Sequence, residues 1–222
     1  MRAVLDFLNI SKVNVLGHHK GVGLAGSLAL EHPELINRII FAEYIFPGFG
    51  YETCVTSPEV YRIWQLAFFT IPDAAQFFIQ GREREMLCWY FYHGSYSGSS
   101  VISGDILEAY TRAISKPGFL RAGMQYFAAA FSEAQYLQER ITSTGKLHMP
   151  VLALRGEAQF SPLPAVRAGF GQLPENLAMD VVPKAGYWIV SALSSCLHSG
   201  ANRWSGRREP RLGRTKSAGL FW

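Results

Sequence analysis

The stretch VNVLGHHKGVGLAG, residues 13–26, decides how this chain folds. Its apolar first half has the composition of a buried strand, a glycine ends the run, and small residues then continue with helical spacing. The segment NRIIFAEYI, residues 37–45, follows as a second buried strand rich in β-branched and aromatic residues. A strand, a helix and a strand at this spacing predict a βαβ unit, hence a parallel sheet with a right-handed crossover.

The turn between the first strand and the helix has the spacing of a nucleophile elbow. In that motif small residues flank the central residue, because the strained backbone brings the strand against the next helix. Gly17 and Gly21 are the small residues here, and His19 is central. Ser, Cys or Asp would be a nucleophile at this position.

Two other interpretations of the same turn remain open. Gly21, Gly23 and Gly26 spell GxGxxG, and Glu43 follows on the next strand, as in a dinucleotide-binding fingerprint. The three residues that separate Gly17 from the first of these glycines argue against it. The third interpretation is structural, since glycines also allow a helix to pack closely on a sheet.

Composition and charge narrow the class of protein. The 222 residues are 49% hydrophobic and 17% charged, which suits one globular domain with an inserted subdomain. Residues 199–222 hold six Arg and Lys against Glu209, so the net charge of +4 belongs to a basic tail that we expect to be disordered. No interleaved aromatic pattern accompanies this tail, and no nucleic-acid partner is expected.

Other sequence features predict a cytoplasmic protein without metal or cofactor. Cys54, Cys88 and Cys196 are widely spaced and are expected to be reduced thiols. The sequence contains no apolar run of about 18 residues and no signal peptide, so no membrane contact is expected.

A block of helical segments interrupts the α/β pattern. Residues 47–147 show aromatic residues with helical spacing and no strand alternation, and the α/β pattern then returns. The predicted strands are residues 12–17, 37–44, 149–155 and 177–183. The predicted domains are 1–46 as the first part of the α/β core, 47–147 as the helical block, 148–198 as the second part of the core, and 199–222 as the tail.

The segment VLGHHKGVGLAGSLALEHPELINRIIFAEYIFPGFGYE resembles the elbow, helix and next strand of α/β-hydrolases of the epoxide hydrolase and haloacetate dehalogenase type. MPVLALRGE and AGYWIV resemble the seventh strand and the Gly-His-Trp segment of those enzymes. The resemblance covers roughly residues 1 to 195. It implies an incomplete α/β-hydrolase parallel sheet with the helical block as an inserted cap.

The family resemblance implies a two-step reaction on small, often apolar molecules, in several cases in specialised metabolism. An Asp attacks the carbon of an epoxide or halide, and a His-activated water hydrolyses the resulting ester. In this chain the Asp position holds His19 and the His position holds Tyr187, while Glu157 could serve as the acid. The resemblance also suggests that Trp64 and Tyr126 of the cap contact substrate.

These substitutions predict a relative of the epoxide hydrolases with impaired or lost hydrolysis. The first strands and the oxyanion loop of the family would precede residue 1, so a truncated chain is expected, with its first strand at a sheet edge and a tendency to self-associate. A non-catalytic protein that binds a small molecule in the cap pocket, or an interaction protein, is the alternative from another class.

Overall fold

The chain folds around a parallel β-sheet covered by helices. The computed structural model describes residues 2–52, 63–93, 102–159, 163–189 and 220–221. The strands are β1 (Val13–His18), β2 (Ile36–Ala42), β3 (Val151–Gly156), β4 (Leu177–Val182) and β5 (Leu220–Phe221). They are paired in parallel in the order β4-β3-β2-β1-β5. The predicted α/β class with a parallel sheet is confirmed.

The sheet differs from the sequence prediction at one edge. We expected four strands with β1 outermost, but β5 pairs with Val15 and Leu16 of β1. The prediction of an unpaired edge is therefore wrong at these two residues, because the outer N–H and C=O groups of β1 recruit two residues of the predicted tail. The rest of that tail, 199–219 and Trp222, lies outside the described residues. The same holds for residues 190–198 of the expected last helix.

The βαβ unit at the start of the chain forms as predicted. Helix α1 (Arg2–Phe7) precedes β1, and α2 (Lys20–Glu31) crosses from β1 to β2 through a short 3₁₀ turn (Pro33–Leu35). The small residues Ala25, Gly26 and Ala29 are all buried. Their size lets the helix axis approach the strands closely.

Among the described residues, six helices follow β2 and form the cap. They are α3 (Trp64–Phe68), α4 (Pro72–Ile79), α5 (Glu83–His93), α6 (Gly104–Ile114), α7 (Phe119–Ala128) and α8 (Ala130–Thr144). Two stretches of helical spacing are each divided into two helices, the first into α4 and α5 and the second into α7 and α8. The first divides at Gly81, whose positive φ of 83° ends α4, and the second divides at Ala129. Ser103 caps α6 as predicted, since its hydroxyl accepts from the N–H of Ile106 at 3.4 Å.

After the cap the chain returns to the sheet. β3 pairs with β2, so that Ile39 lies opposite Val151, and helix α9 (Leu163–Phe170) lies between β3 and β4. The order of the strands thus brings the carboxyl ends of β1, β2 and β3 to one edge. In open parallel sheets that edge is where ligands bind.

The core extends from the sheet into the last cap helix. Phe41, Ile39 and Val151 of the sheet are buried in the same cluster as Ala130 and Leu137 of α8. A second cluster lies within the cap and contains Phe69, Ala75, Ile79, Leu120 and Met124. Of the described helices, none is both long and apolar enough to cross a membrane.

Candidate functional site

The turn after β1 has the backbone of a nucleophile elbow. His19 adopts φ 51° and ψ −128°, a strained conformation that non-glycine residues seldom take. Its N–H donates to the carbonyl of Ala42 at the end of β2 at 3.0 Å, and its own carbonyl accepts from the N–H of Val22 at 2.9 Å. These two hydrogen bonds hold the imidazole above the carboxyl edge of the sheet.

The small residues around the elbow are required by close contact. A Cβ on Gly17 would lie 2.6 Å from the carbonyl oxygen of Gly21 and 2.8 Å from the Cα of Val22. At the end of β3, a Cβ on Gly156 would collide with the carbonyls of Ala185 and Gly186. The second contact sets the position of the segment that carries Tyr187.

Aromatic rings surround His19. Its imidazole lies 5.3 Å from the ring of Tyr187 in an edge-to-face arrangement, and 5.5 Å from the ring of Phe127. Burial lowers the pKa of His19 well below its usual value, and the neighbouring His18 and Lys20 lower it further. The imidazole is therefore neutral at physiological pH.

His18 supports the elbow from the other side. Its Nε2 lies 3.1 Å from the carbonyl oxygen of Tyr187, which ties the end of β1 to the Tyr187 segment. Burial lowers the pKa of His18 to about 4, so it too is uncharged near neutral pH. A neutral imidazole whose Nε2 carries the proton donates in this hydrogen bond.

A narrow pocket of about 50 Å³ lies beside His19. We call this space the narrow pocket, and its polar lining includes Glu43, Gln65 and Tyr187.

Glu43 follows β2 and is only 2% exposed. Its Oε1 accepts from the N–H of Gly156, and burial raises its pKa to about 9 although that bond and Arg155 act in the opposite direction. Glu43 is therefore a neutral carboxylic acid at pH 7.

Lys20, the residue after His19, also lines the narrow pocket. Its ammonium group lies between 5.1 and 5.4 Å from the ring centres of Tyr44, Tyr51 and Phe127, and 3.3 Å from the hydroxyl of Tyr44. Burial lowers its pKa, and the carboxylate of Glu133 opposes that effect. The contacts with aromatic faces stabilise the cation in this buried position.

A wide cavity of about 730 Å³ adjoins the narrow pocket, and we call it the wide cavity. His19, Tyr90 and Trp188 line both spaces. Its other walls are mainly apolar side chains of the cap helices, among them Phe69, Met86, Leu87, Phe91, Ile114 and Met124. A cleft of this volume and lining suits a small apolar molecule.

The structure brings two of the predicted site residues together and places the others elsewhere. His19 and Tyr187 face each other across the narrow pocket. Glu157 is exposed and accepts from the N–H of Lys184 at 2.8 Å, while Gln159 lines the narrow pocket in its stead.

The two cap residues predicted to contact substrate lie outside both spaces. Trp64 is 44% exposed and lies against Trp89 in a surface groove, and Tyr126 is 54% exposed on α7. Their neighbours Gln65 and Phe127 face inward. One step along a helix rotates the side chain by about 100°, which accounts for the exchange.

The glycines of the possible dinucleotide motif lie within α2. A Cβ on Gly23 would collide with the carboxylate of Glu133, and one on Gly26 would lie 3.0 Å from the ring of Phe46. Close packing therefore explains both glycines, and Glu43 is buried against Gly156. These contacts add no support to dinucleotide binding. No cluster of three or more His, Cys, Asp or Glu suited to a metal ion occurs within the described ranges.

Sequence reasoning missed the polar lining of the narrow pocket. The sequence places Glu43 only in the possible dinucleotide motif and gives no role to Gln65. Both lie within two residues of an apolar run, where an uncompensated polar side chain is unusual. That contrast is the signal that could have found them.

Comparisons with known proteins agree with the fold. No family model matches the chain. It is 27% identical to epoxide hydrolase 4 of Mus musculus over 162 residues, which cover 71% of this chain and 43% of that protein. It is 26% identical to the soluble epoxide hydrolase of Corynebacterium sp. (strain C12) over 191 residues, or 85% of this chain and 65% of that protein. The chain spans about half the length of the mouse and human relatives it matches and 65% of the bacterial one.

Solved structures show the same fold. Cfl2 from Burkholderia cenocepacia superposes with a TM-score of 0.78 at 24% identity, over 89% of this chain and 68% of that one. The epoxide hydrolase CorEH without ligand superposes with a TM-score of 0.76 at 24% identity, over 90% of this chain and 70% of that one.

Fold and elbow together define an α/β-hydrolase-fold protein, with a parallel sheet and an inserted helical cap. Within that class, the sequence similarity to curated epoxide hydrolases makes the chain epoxide hydrolase-like.

Proposed function

We propose that this protein binds a small apolar molecule in the wide cavity and does not hydrolyse epoxides or haloacids through an ester at position 19. One observation carries the proposal. The elbow keeps its strained geometry and its cavity, yet it presents the imidazole of His19 to the phenol of Tyr187.

The chemistry of these two side chains differs from that of an ester-forming pair. A carboxylate that attacks an epoxide carbon forms an ester, and water can then attack the ester carbonyl. If the neutral imidazole of His19 attacked, the product would be an N-alkylated ring without a carbonyl, which hydrolysis does not release. Tyr187 presents a phenol, and a phenol is a poor general base at pH 7 because a free tyrosine side chain ionises only near pH 10.

Ligand binding is supported by the lining of the wide cavity. Aromatic and aliphatic side chains of three cap helices and of β1, with Phe69, line it, and its volume of about 730 Å³ lies in the range of known small-molecule sites. At roughly 25 cal/mol per Å² of buried apolar surface, a ligand the size of a substituted benzene gains several kcal/mol on entry.

The test combines an activity assay with a binding assay on the same protein. Purified protein is incubated with styrene oxide and with fluoroacetate, and diol and fluoride are measured against buffer. Binding of ethylbenzene and of 1-phenylethanol is measured by calorimetry. We expect no turnover above buffer and saturable binding of at least one aromatic compound.

The control is His19→Ala, which removes the imidazole and leaves the cap unchanged. Turnover by the unsubstituted protein that disappears in this variant would show catalysis at position 19 and overturn the proposal. Binding of neither aromatic compound would overturn its ligand-binding half.

A further inference from the structure

Three buried polar atoms of the narrow pocket have no hydrogen-bond partner among the described residues. They are Oε2 of Glu43, Oε1 of Gln65 and the hydroxyl of Tyr187. Glu43 is 2% exposed and Gln65 is 3% exposed. Buried polar groups in folded proteins are nearly always hydrogen-bonded, so three unpaired groups in one pocket are unusual.

The hydrogen-bonding character of each atom follows from its surroundings. Oε1 of Glu43 already accepts from the N–H of Gly156. The neutral carboxyl therefore carries its proton on Oε2 and presents a donor. The hydroxyl of Tyr187 is a second donor, and the amide oxygen of Gln65 is an acceptor. The pocket thus offers two donors and one acceptor.

A hydroxyl group is the simplest partner that matches this set. It has one O–H to donate and two lone pairs to accept. A ketone could satisfy the donors and would leave Gln65 unpaired. A cavity of about 10–15 Å³ holds one water molecule, so a pocket of about 50 Å³ has room for a hydroxyl and its carbon.

The narrow pocket adjoins an apolar space. His19, Tyr90 and Trp188 line both the narrow pocket and the wide cavity. The indole N–H of Trp188 already donates to the carbonyl of Phe91 at 3.1 Å. Trp188 therefore contributes its apolar ring to the boundary of the two spaces and no free donor. A molecule with a polar end and an apolar body would place one part in each space.

We propose that the ligand is an uncharged apolar alcohol, with its hydroxyl between Glu43, Tyr187 and Gln65 and its apolar body in the wide cavity. This inference rests on the ligand binding proposed above and names the chemical class of the ligand. The uncharged form fits because the three unpaired groups are all neutral, and a desolvated charge would require an ionic partner.

The experiment uses three probes with one carbon skeleton. 1-Phenylethanol carries a hydroxyl, acetophenone carries an acceptor alone, and ethylbenzene carries neither. Their dissociation constants are measured by calorimetry at pH 7. We expect 1-phenylethanol to bind about tenfold more tightly than acetophenone, and acetophenone about tenfold more tightly than ethylbenzene.

Variants assign the preference to the named atoms. Gln65→Met should reduce the affinity for 1-phenylethanol to that for acetophenone and leave acetophenone unchanged. Glu43→Gln keeps one donor and one acceptor and should retain both affinities, whereas Glu43→Met should weaken both. Gln125→Met, at an exposed position of α7, is the matched control and should change nothing.

The outcomes separate this inference from the proposed function. If all three probes bind equally, the cavity binds apolar molecules but the alcohol assignment is overturned. If none binds, both proposals fail. Should Glu43→Met not fold, which circular dichroism detects, the response of Gln65→Met still decides, because an unchanged preference for the alcohol in that variant overturns the assignment.

Discussion

Burial decides the charge state of the Glu43 side chain. Glu43 lies at the carboxyl end of β2, with a positive φ of 54°, where the sequence alone suggested a ligand for a ribose. The structure buries this side chain, and burial raises its pKa to about 9. The same residue is thus a hydrogen-bond donor in the folded protein and a carboxylate in the unfolded chain.

This difference predicts a pH-dependent stability. Between about pH 4.5 and 9 the folded protein retains a proton on Glu43 that the unfolded chain releases, so the free energy of unfolding decreases as pH rises through this window. The slope from this group is at most about 1.4 kcal/mol per pH unit. Glu43→Gln should remove it, as measured by urea unfolding at pH 7, 8 and 9.

At pH 7 to 9 the two buried histidines contribute little, because burial lowers the pKa of His18 to about 4 and that of His19 well below its usual value, so both are neutral in the folded and the unfolded chain. Below about pH 6.5 the unfolded chain takes up these protons and the folded protein does not, so there the two histidines act in the opposite direction to Glu43. Glu139→Gln, at an exposed carboxyl of α8, serves as the control and should leave the slope unchanged. An equal slope in the unsubstituted protein and in Glu43→Gln would show that Glu43 ionises normally.

The contact between β1 and α2 decides the geometry of the elbow at the scale of elements. Gly17, near the end of β1, lies against the backbone of Gly21 and Val22. The helix can therefore begin at Lys20, one residue after the strained His19, and the imidazole is held at the sheet edge. Side-chain identity at position 19 does not set this backbone, since the elbow persists with a histidine.

Gly17→Ala should destabilise the protein by about 2 kcal/mol or more, because the new Cβ would lie 2.6 Å from the carbonyl oxygen of Gly21. The measurement is the free energy of unfolding in urea at pH 7. Gly123→Ala is the matched control, since no atom lies within 4 Å of a Cβ built there in the interior of α7. That variant should be neutral or stabilising by up to about 1 kcal/mol. Equal effects of both substitutions would contradict the packing argument.

At the scale of the whole molecule, the outer side of β1 is an exposed feature of the described sheet. β2 pairs along the full length of β1 on its inner side, whereas β5 pairs with Val15 and Leu16 alone on the outer side. Strand edges with free N–H and C=O groups are sites of pairing with another chain.

We therefore expect concentration-dependent self-association, measured by size-exclusion chromatography with light scattering. Asn14→Lys adds a charge at this exposed position of β1 and should shift the equilibrium toward monomer. Gln125→Lys adds the same charge on α7 and should not. A monomer at every concentration in the unsubstituted protein would show that the β1 edge is covered.

The sequence by itself determined the βαβ unit, the elbow at His19 and the helical cap. These features depend on short patterns: apolar runs, the spacing of Gly17 and Gly21, and helical periodicity, all of which act within a few residues. The resemblance to epoxide hydrolases assigned Tyr187 to the family's His position, and in the structure its ring lies 5.3 Å from that of His19. The division of the cap into α4 and α5 could have been anticipated from Gly81, and its exact position depended on the left-handed backbone there.

Only the tertiary structure decided which side chains form the site. Whether Gln65 or Trp64 faces inward depends on how their helix is oriented relative to the sheet. The third strand of that sheet, β3, begins almost ninety residues later in the chain. The neutral state of Glu43 likewise depends on the N–H of Gly156, which is 113 residues away in sequence. Local patterns encode the elements, whereas burial and charge state arise from groups that only packing brings together.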